Sequence, residues 1–161
     1  MRDSLPADQR FRVMGACSTA FGCTIQGDVS VDAVVRAAVA LQAAGVDELS
    51  LADTVGYANP VQIKKVFKAV RAAVGPEILI EAHFHNTRGL GLANCLAAYE
   101  VGVRHFDSTL GGLGGCPYAP NASGNVVTED LAFMFESVDT PIDSNMKARS
   151  SVTTLPEALG A

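Results

Sequence analysis

Short apolar runs along the chain alternate with longer segments in which the apolar residues recur at helical spacing. The apolar runs predict four strands, at residues 11–17, 47–51, 77–82 and 103–108. The helical spacing predicts four helices, at residues 31–44, 59–74, 90–101 and 126–137. Ser30 is a suitable N-cap for the first helix, and Pro60 suits the first turn of the second.

These strand-helix units predict the fold class. Strands joined through helices run parallel, and such crossovers are right-handed. The fold is therefore expected to be α/β, either an open doubly wound sheet or part of a (β/α)8 TIM barrel. A complete barrel takes about 250 residues and eight units, so 161 residues predict a single partial domain of about half a barrel. No Gly-x-Gly-x-x-Gly motif follows the first predicted strand, which disfavours a dinucleotide-binding fold.

Composition narrows the classes of partner. A hydrophobic content of 48% with 18% charged residues favours a globular domain over disorder. A net charge of −5 and the absence of Trp disfavour nucleic-acid binding. No apolar run approaches the roughly 20 residues of a membrane span, and the N-terminus lacks a signal-peptide core. The four cysteines have no Cys-x-x-Cys spacing and are expected to be reduced thiols of a cytoplasmic protein.

Polar residues collect where the predicted strands end. In parallel α/β folds, ligands bind at that edge of the sheet. The sequence therefore predicts a site built from side chains at or just past the strand ends, namely Asp53, Thr54, His83, His85, Asn86, Asp107 and Ser108.

His83 and His85 flank Phe84 at the end of the third predicted strand. Alternate residues of a strand point to the same face, so both imidazoles are expected on one face and Phe84 on the other. Two imidazoles on one face suit a divalent metal, and mixed His/oxygen sites also hold Mg. One such His is also compatible with a structural core residue. His105 stands alone in its strand, which favours a structural role.

Two imidazoles need oxygen donors to complete a metal site, and Asn125 and Asp53 are candidates. Asn125 precedes the last predicted helix, where Asn is a common N-cap. Asp53 ends the second predicted strand, where an N-cap or Asx-turn role is also open. Either side chain could instead point into the cavity at the strand ends.

The glycine-rich segment Gly111–Cys116 predicts a loop, since glycine weakens helices and strands. A flexible turn with an incidental cysteine is one interpretation. The alternative is a loop whose backbone approaches a ligand and which presents the Cys116 thiol, as a proton donor to a carbanion or enolate or as a nucleophile. Cys17 and Cys95 are expected to pack as small apolar residues, and Cys23 is left ambiguous.

The order and spacing of several motifs between about residues 12 and 138 resemble the 3-hydroxy-3-methylglutaryl-CoA (HMG-CoA) lyase family. The motifs are Gly111–Ala119, Ala122–Asn125, Thr128–Asp130, Phe21–Cys23, Leu49–Gly56 and His83–Thr87. Condensing enzymes such as isopropylmalate and homocitrate synthases share the His-x-His motif but lack the cysteine loop. Carboxyltransferase domains resemble this chain only in the way that they bind a metal.

The resemblance implies a TIM-barrel lyase that splits HMG-CoA into acetoacetate and acetyl-CoA, a reaction of leucine degradation. It implies that His83, His85 and Asn125 bind Mg or Mn. The implied catalytic residues are His83, Asp53 near the substrate hydroxyl, and Cys116, which helps to protonate the enolate. The bound ion is expected to ease formation of the alkoxide whose collapse breaks the carbon–carbon bond.

Two departures from the family pattern change the expectations. Asn86 stands where many members carry Asp, so another hydroxyacyl-CoA is an alternative substrate. No segment before Arg12 supplies the strand that carries the family's Asp ligand and its Arg, so the chain resembles the second half of a lyase barrel, with a poorly defined tail at 139–161. The isolated chain is expected to be inactive, and to self-associate or pair with an N-terminal half. A non-catalytic half-barrel assembly module is the alternative.

Overall fold

The computed structural model describes residues 4–6, 9–116 and 123–138, and their core is a four-stranded parallel sheet. The strands are β1 (Met14–Cys17), β2 (Glu48–Asp53), β3 (Leu79–Phe84) and β4 (His105–Asp107), which pair in the order β1-β2-β3-β4. All three pairings are parallel. This arrangement confirms the predicted α/β class with consecutive parallel βα units.

Each strand is followed by a helix, and local sequence signals set where the helices begin. The helices are α1 (Val31–Ala43), α2 (Pro60–Val74), α3 (Gly91–Glu100) and α4 (Thr128–Ser137). The Ser30 hydroxyl accepts a hydrogen bond from the backbone N–H of Ala33 at 3.2 Å. The Asn59 amide oxygen accepts from the N–H groups of Val61 and Gln62 at 3.1 and 3.0 Å. These caps satisfy N–H groups that have no partner inside the helix.

One face of the sheet forms the hydrophobic core with the helices. Leu49 and Leu51 of β2 are completely buried, as is Val70 of α2. Three aromatic rings, those of Phe21, Phe67 and Phe84, lie with centroids 5.9–6.1 Å apart. Burying each such side chain contributes about 1.5–3 kcal/mol, so this cluster anchors the sheet beneath the strand ends.

The opposite face of the sheet is polar. Glu48 and Ser50 are buried there, and Glu48 pairs with Arg12 at 2.8 Å. The register places Ser50 beside Glu81 and Glu81 beside His105. Burial raises the pKa of Glu81, and the neighbouring Asp107 raises it further. Charged and hydroxyl side chains therefore line this face up to His83, where the candidate site begins.

The last predicted helix begins two residues later than expected, and the reason lies in the sheet. The backbone N–H of Val126 donates to the carbonyl of Phe84 at 3.0 Å, and Val127 bridges Thr109, so 126–127 extend the sheet edge. The predicted tail at 139–161 lies outside the described residues. Among the helices that are described, none has the length and apolar character needed to cross a membrane.

Candidate functional site

The carboxyl ends of the strands bring the predicted polar residues to one edge of the sheet. Asp53 is the last residue of β2, His83 lies one residue before the end of β3, and Asp107 is the last residue of β4. In the register of the sheet, His83 lies directly beside Asp107. The candidate site is therefore built on the ends of adjacent strands.

His83 is held by the carboxylate of Asp107. The Nδ1 atom of His83 lies 2.9 and 2.8 Å from the two carboxylate oxygens, so its N–H donates to them. The hydrogen bond that His83 donates to Asp107 raises the pKa of His83, whereas burial lowers it. Because Nδ1 is engaged, Nε2 is the nitrogen left to bind a ligand. A histidine held this way by a carboxylate is a common arrangement at metal sites.

His85 lies beside His83, with ring centroids 5.2 Å apart. Phe84 between them is buried in the core, which agrees with the alternation expected of a strand. His85 is buried, and its Nδ1 atom has no hydrogen-bond partner among the described residues. Burial and the neighbouring His83 lower the pKa of His85. Its neutral ring offers a nitrogen lone pair to a metal at neutral pH.

Asn125 lies across from His85 in an isolated antiparallel bridge. Side chains of directly opposed residues lie on the same side, so the Asn125 amide shares the face of the two imidazoles. Its Nδ2 atom donates to the carbonyl of Leu113 at 2.7 Å, which leaves Oδ1 as a potential ligand. The N-cap interpretation is wrong, because α4 begins at Thr128 and Val127 occupies the cap position.

His83, His85 and Asn125 together fit a divalent cation. They offer two imidazole nitrogens and one amide oxygen on a single face. The buried Nδ1 of His85 has no hydrogen-bond partner in the described part of the chain, so a bound cation would satisfy it. Within residues 4–6, 9–116 and 123–138, no group of three or more His, Cys, Asp or Glu side chains is arranged to hold a metal. An ion bound by the two histidines would therefore also need Asn125 and further oxygen donors besides these three residues.

Asp53 is completely buried, and its carboxylate is bonded to its own loop. Its two oxygens accept hydrogen bonds from the backbone N–H groups of Tyr57 and Ala58 at 2.9 and 3.0 Å. Burial raises the pKa of Asp53, while these hydrogen bonds lower it. The N-cap interpretation is wrong here too, since Asn59 caps α2. A role for Asp53 near the substrate hydroxyl stays a prediction.

The glycine loop is anchored at its first half. Leu110–Gly112 form a short 3-10 turn, and the N–H of Gly111 lies 3.2 Å from both carboxylate oxygens of Glu129. A Cβ on Gly124 would lie only 2.1 Å from the carbonyl oxygen of Gly112, so only glycine allows this approach. These contacts hold the backbone around Gly111 and Gly112 against Glu129 and Gly124, while the flexible-turn interpretation of the loop stays a prediction.

Cys116 follows this anchored part and is partly exposed. It makes no hydrogen bond to His83 or His85 in the described part of the chain, and Pro117–Ala119 of the predicted motif lie outside that part. Burial raises the pKa of the Cys95 thiol, whereas hydrogen bonds from the backbone N–H groups of Gln26 and Ile25 lower the pKa of Cys23. Burial also raises the pKa of Cys17.

Sequence reasoning missed the roles of several neighbours. Asp107 is recognisable in sequence as a strand-end residue, but its pairing with His83 depends on the register. Asn86 directs its amide oxygen to the N–H of Gly91 at 3.0 Å, so it fixes the start of α3. Thr109 donates to the carbonyl of Leu113 at 2.6 Å.

An open cleft of about 950 Å³ lies between the loop after β1 and the first residues of α1 and α2. Its lining includes Phe21, Tyr57, Gln62 and Lys65. Neither histidine lines it, so the cleft is separate from the candidate metal site.

The sequence of this chain is similar to a known protein family and to lyases that belong to it. The HMGL-like family profile matches residues 8–155. The HMG-CoA lyase YngG of Bacillus subtilis is 48% identical over 130 residues, which are 81% of this chain and 42% of that protein. The (R)-citramalyl-CoA lyase of Chloroflexus aurantiacus is 41% identical over 133 residues, which are 83% of this chain and 42% of that protein.

A solved structure agrees with these relatives. An HMG-CoA lyase from Acinetobacter baumannii, in complex with coenzyme A and 3-methylmalate, superposes with a TM-score of 0.76 at 50% identity, covering 83% of this chain and 44% of that chain. The chain thus spans less than half the length of these relatives. Its four βα units correspond to part of the TIM barrel of the HMG-CoA lyases, and the chain belongs to the HMGL-like family.

Proposed function

We propose that this chain carries the metal-binding and thiol-bearing part of a carbon–carbon lyase that cleaves HMG-CoA to acetoacetate and acetyl-CoA. The observation that supports the proposal is the placement of His83, His85 and Asn125 on one face at the carboxyl edge of the sheet. The glycine loop that leads to Cys116 is bonded directly to Asn125. Relatives at 40–48% identity that are named HMG-CoA lyases favour this substrate class.

In this proposal, His83, His85 and Asn125 hold Mg or Mn. The ion, when bound, lowers the pKa of the substrate hydroxyl and offsets the negative charge on its oxygen. Asp107 keeps the His83 ring oriented through the contacts at 2.8–2.9 Å. The neutral ring of His85 adds a second nitrogen without a competing proton at neutral pH.

The bond changes of the reaction assign roles to the remaining residues. A base removes the proton of the tertiary hydroxyl, and Asp53 is proposed for this step because it ends β2, the strand that pairs with the strand of His83. The oxygen forms a carbonyl as the adjacent carbon–carbon bond breaks, and the electron pair passes to the thioester as an enolate. The Cys116 thiol gives its proton to the enolate carbon, which yields acetyl-CoA.

A second substrate is favoured by two of the comparisons. The citramalyl-CoA lyase is 41% identical to this chain, and the Acinetobacter lyase was solved with 3-methylmalate. A hydroxyacyl-CoA other than HMG-CoA is therefore the alternative substrate, and it uses the same bond changes.

The sheet edges support a further part of the proposal. In the described sheet, β1 and β4 each pair on one side only. Unpaired strand edges are templates for another chain. We therefore propose that the chain pairs with a separate barrel half or with a second copy of itself, and that it does not turn over substrate alone. Assembly without catalysis is the competing function.

A chimera tests the catalytic proposal directly. Residues 12–138 replace the equivalent segment of the Bacillus subtilis lyase, and acetyl-CoA release is measured from HMG-CoA and from citramalyl-CoA. The chimera should release acetyl-CoA, and His83→Ala and Cys116→Ala should each lower kcat at least about 100-fold. His105→Ala and Cys23→Ser are the matched controls. A folded chimera without activity on either substrate would favour the assembly module.

A further inference from the structure

Asn125 lies between the glycine loop and the histidine pair. Its Nδ2 atom donates to the carbonyl of Leu113 at 2.7 Å. A carbonyl only accepts hydrogen bonds, so this partner fixes which end of the amide is nitrogen. The other end, Oδ1, is thereby free of the loop, and the residue lies across from His85.

Among contacts between described residues, those of the Leu113 carbonyl are the last hydrogen bonds of the loop before Cys116. This carbonyl accepts one hydrogen bond from Thr109 Oγ1 at 2.6 Å and the second from Asn125. The glycine that follows, Gly114, has φ = 98°, and a Cβ there would lie 2.8 Å from Nδ2 of Asn125. The amide of Asn125 therefore packs directly against the backbone that leads to the thiol.

We propose that Asn125 couples cation binding to the position of the Cys116 loop. This inference rests on the proposed function, because it uses the cation held by His83, His85 and Asn125. A cation on Oδ1 draws electron density from the amide nitrogen, which makes its N–H a stronger donor to Leu113. It also fixes the rotation of the amide. Asn125 is thus a positioning residue for the glycine loop in addition to a ligand.

The identity of the side chain matters for this coupling. Asp at position 125 would keep an oxygen ligand for the cation but would have no N–H for Leu113. Its second carboxylate oxygen would face a carbonyl oxygen and repel it. Asn125→Asp therefore separates cation binding from loop anchoring. Thr109→Val is the matched control, since it removes the other donor to the same carbonyl and leaves the amide intact.

The test measures the accessibility of Cys116 in the full chain. Mg²⁺ is the probe, because it is a hard ion that does not bind thiols. Iodoacetamide modification of Cys116 is followed by mass spectrometry with and without Mg²⁺, and Cys23 in the same chain is the internal reference. Saturating Mg²⁺ should slow modification of Cys116 about fivefold and leave that of Cys23 unchanged.

The variants decide between coupling and simple binding. Asn125→Asp should still bind Mg²⁺ by calorimetry but lose the slowing at Cys116. Thr109→Val should react faster at baseline and retain the slowing. Slowing that persists in Asn125→Asp overturns the coupling and leaves the metal site standing. Wild-type chain that binds Mg²⁺ without any change at Cys116 also overturns the coupling alone, whereas absence of Mg²⁺ binding overturns both proposals.

A second readout needs no variant. The side-chain NH₂ group of Asn125 gives its own NMR signals in labelled wild-type chain. Binding of Mg²⁺ should shift these signals and slow their exchange with water, because the donated hydrogen bond becomes stronger. Unchanged shifts and exchange in chain that has bound Mg²⁺ would overturn the coupling even if Asn125→Asp does not fold.

Discussion

The carboxylate of Asp53 should be required for folding independently of any catalytic role. It is completely buried and accepts hydrogen bonds from the N–H groups of Tyr57 and Ala58 at 2.9 and 3.0 Å. Asp53→Ala leaves both donors without an acceptor, at about 1–3 kcal/mol each. Part of this loss is offset, because burial raises the pKa of Asp53 and the charge is no longer buried. We expect a net loss of about 2–4 kcal/mol.

Urea denaturation followed by circular dichroism measures this loss. Asp53→Asn keeps one acceptor oxygen, so its free energy of unfolding should lie between those of wild type and Asp53→Ala. Glu77→Ala is the control, because Glu77 is exposed, and its effect should stay within about 0.5 kcal/mol. Thermal unfolding of Asp53→Ala should occur about 5–15 °C lower than that of wild type.

The result that refutes this reasoning is an Asp53→Ala chain as stable as the Glu77→Ala control. It would mean that water or another group satisfies the two N–H donors. The intermediate variant then separates folding from chemistry. If Asp53→Asn folds but abolishes turnover in the chimera, the carboxylate has a role in the reaction beyond its loop.

Three further predictions follow from the same contacts. Asp107→Asn removes the charge that orients His83, so Mn²⁺ affinity by calorimetry should fall about 10- to 100-fold, and unchanged affinity would contradict the assignment. The raised pKa of Asp53 means that the folded chain binds its proton more tightly than the unfolded chain. The protonation of Asp53 therefore adds stability at low pH, separately from its two hydrogen bonds, and this added stability is lost as pH rises from about 3.9 through the folded-state pKa. Urea titrations of Asp53→Asn should lack this pH dependence. The lowered pKa of Cys23 predicts that iodoacetamide modifies it with a lower pH midpoint in the folded chain than in urea-unfolded chain, while buried Cys95 of the folded chain stays unmodified. Equal midpoints for Cys23 in the two states, or modification of Cys95 as fast as that of Cys23, would contradict the prediction.

Much of the fold could be predicted because its signals are local. Ser30 and Asn59 have cap side chains, and Pro60 begins a helix where its missing N–H costs nothing. The segment 126–127 could not be assigned in this way. Its backbone bonds to Phe84 and Thr109 are long-range contacts, and these override a local helical pattern.

The same distinction between local signals and long-range contacts applies to the candidate site. The shared face of His83 and His85 follows from the two-residue period of a strand, so the sequence contains it. The pairing of His83 with Asp107 depends on which residues of β3 and β4 stand side by side, and no local pattern states that register. Local sequence favours a cap role for Asn125, and it does not show the actual partner, because the carbonyl that its amide binds belongs to a loop 12 residues earlier.

The central claim is that His83 and His85 form a divalent-metal site, and Mn²⁺ calorimetry on the full chain tests it most directly. Wild-type chain should show a saturable binding event. His83→Ala combined with His85→Ala should abolish that event, while His105→Ala, on the same face of the sheet, should retain it. Binding that is unchanged in the double variant would show that Mn²⁺ binds elsewhere and would contradict the account.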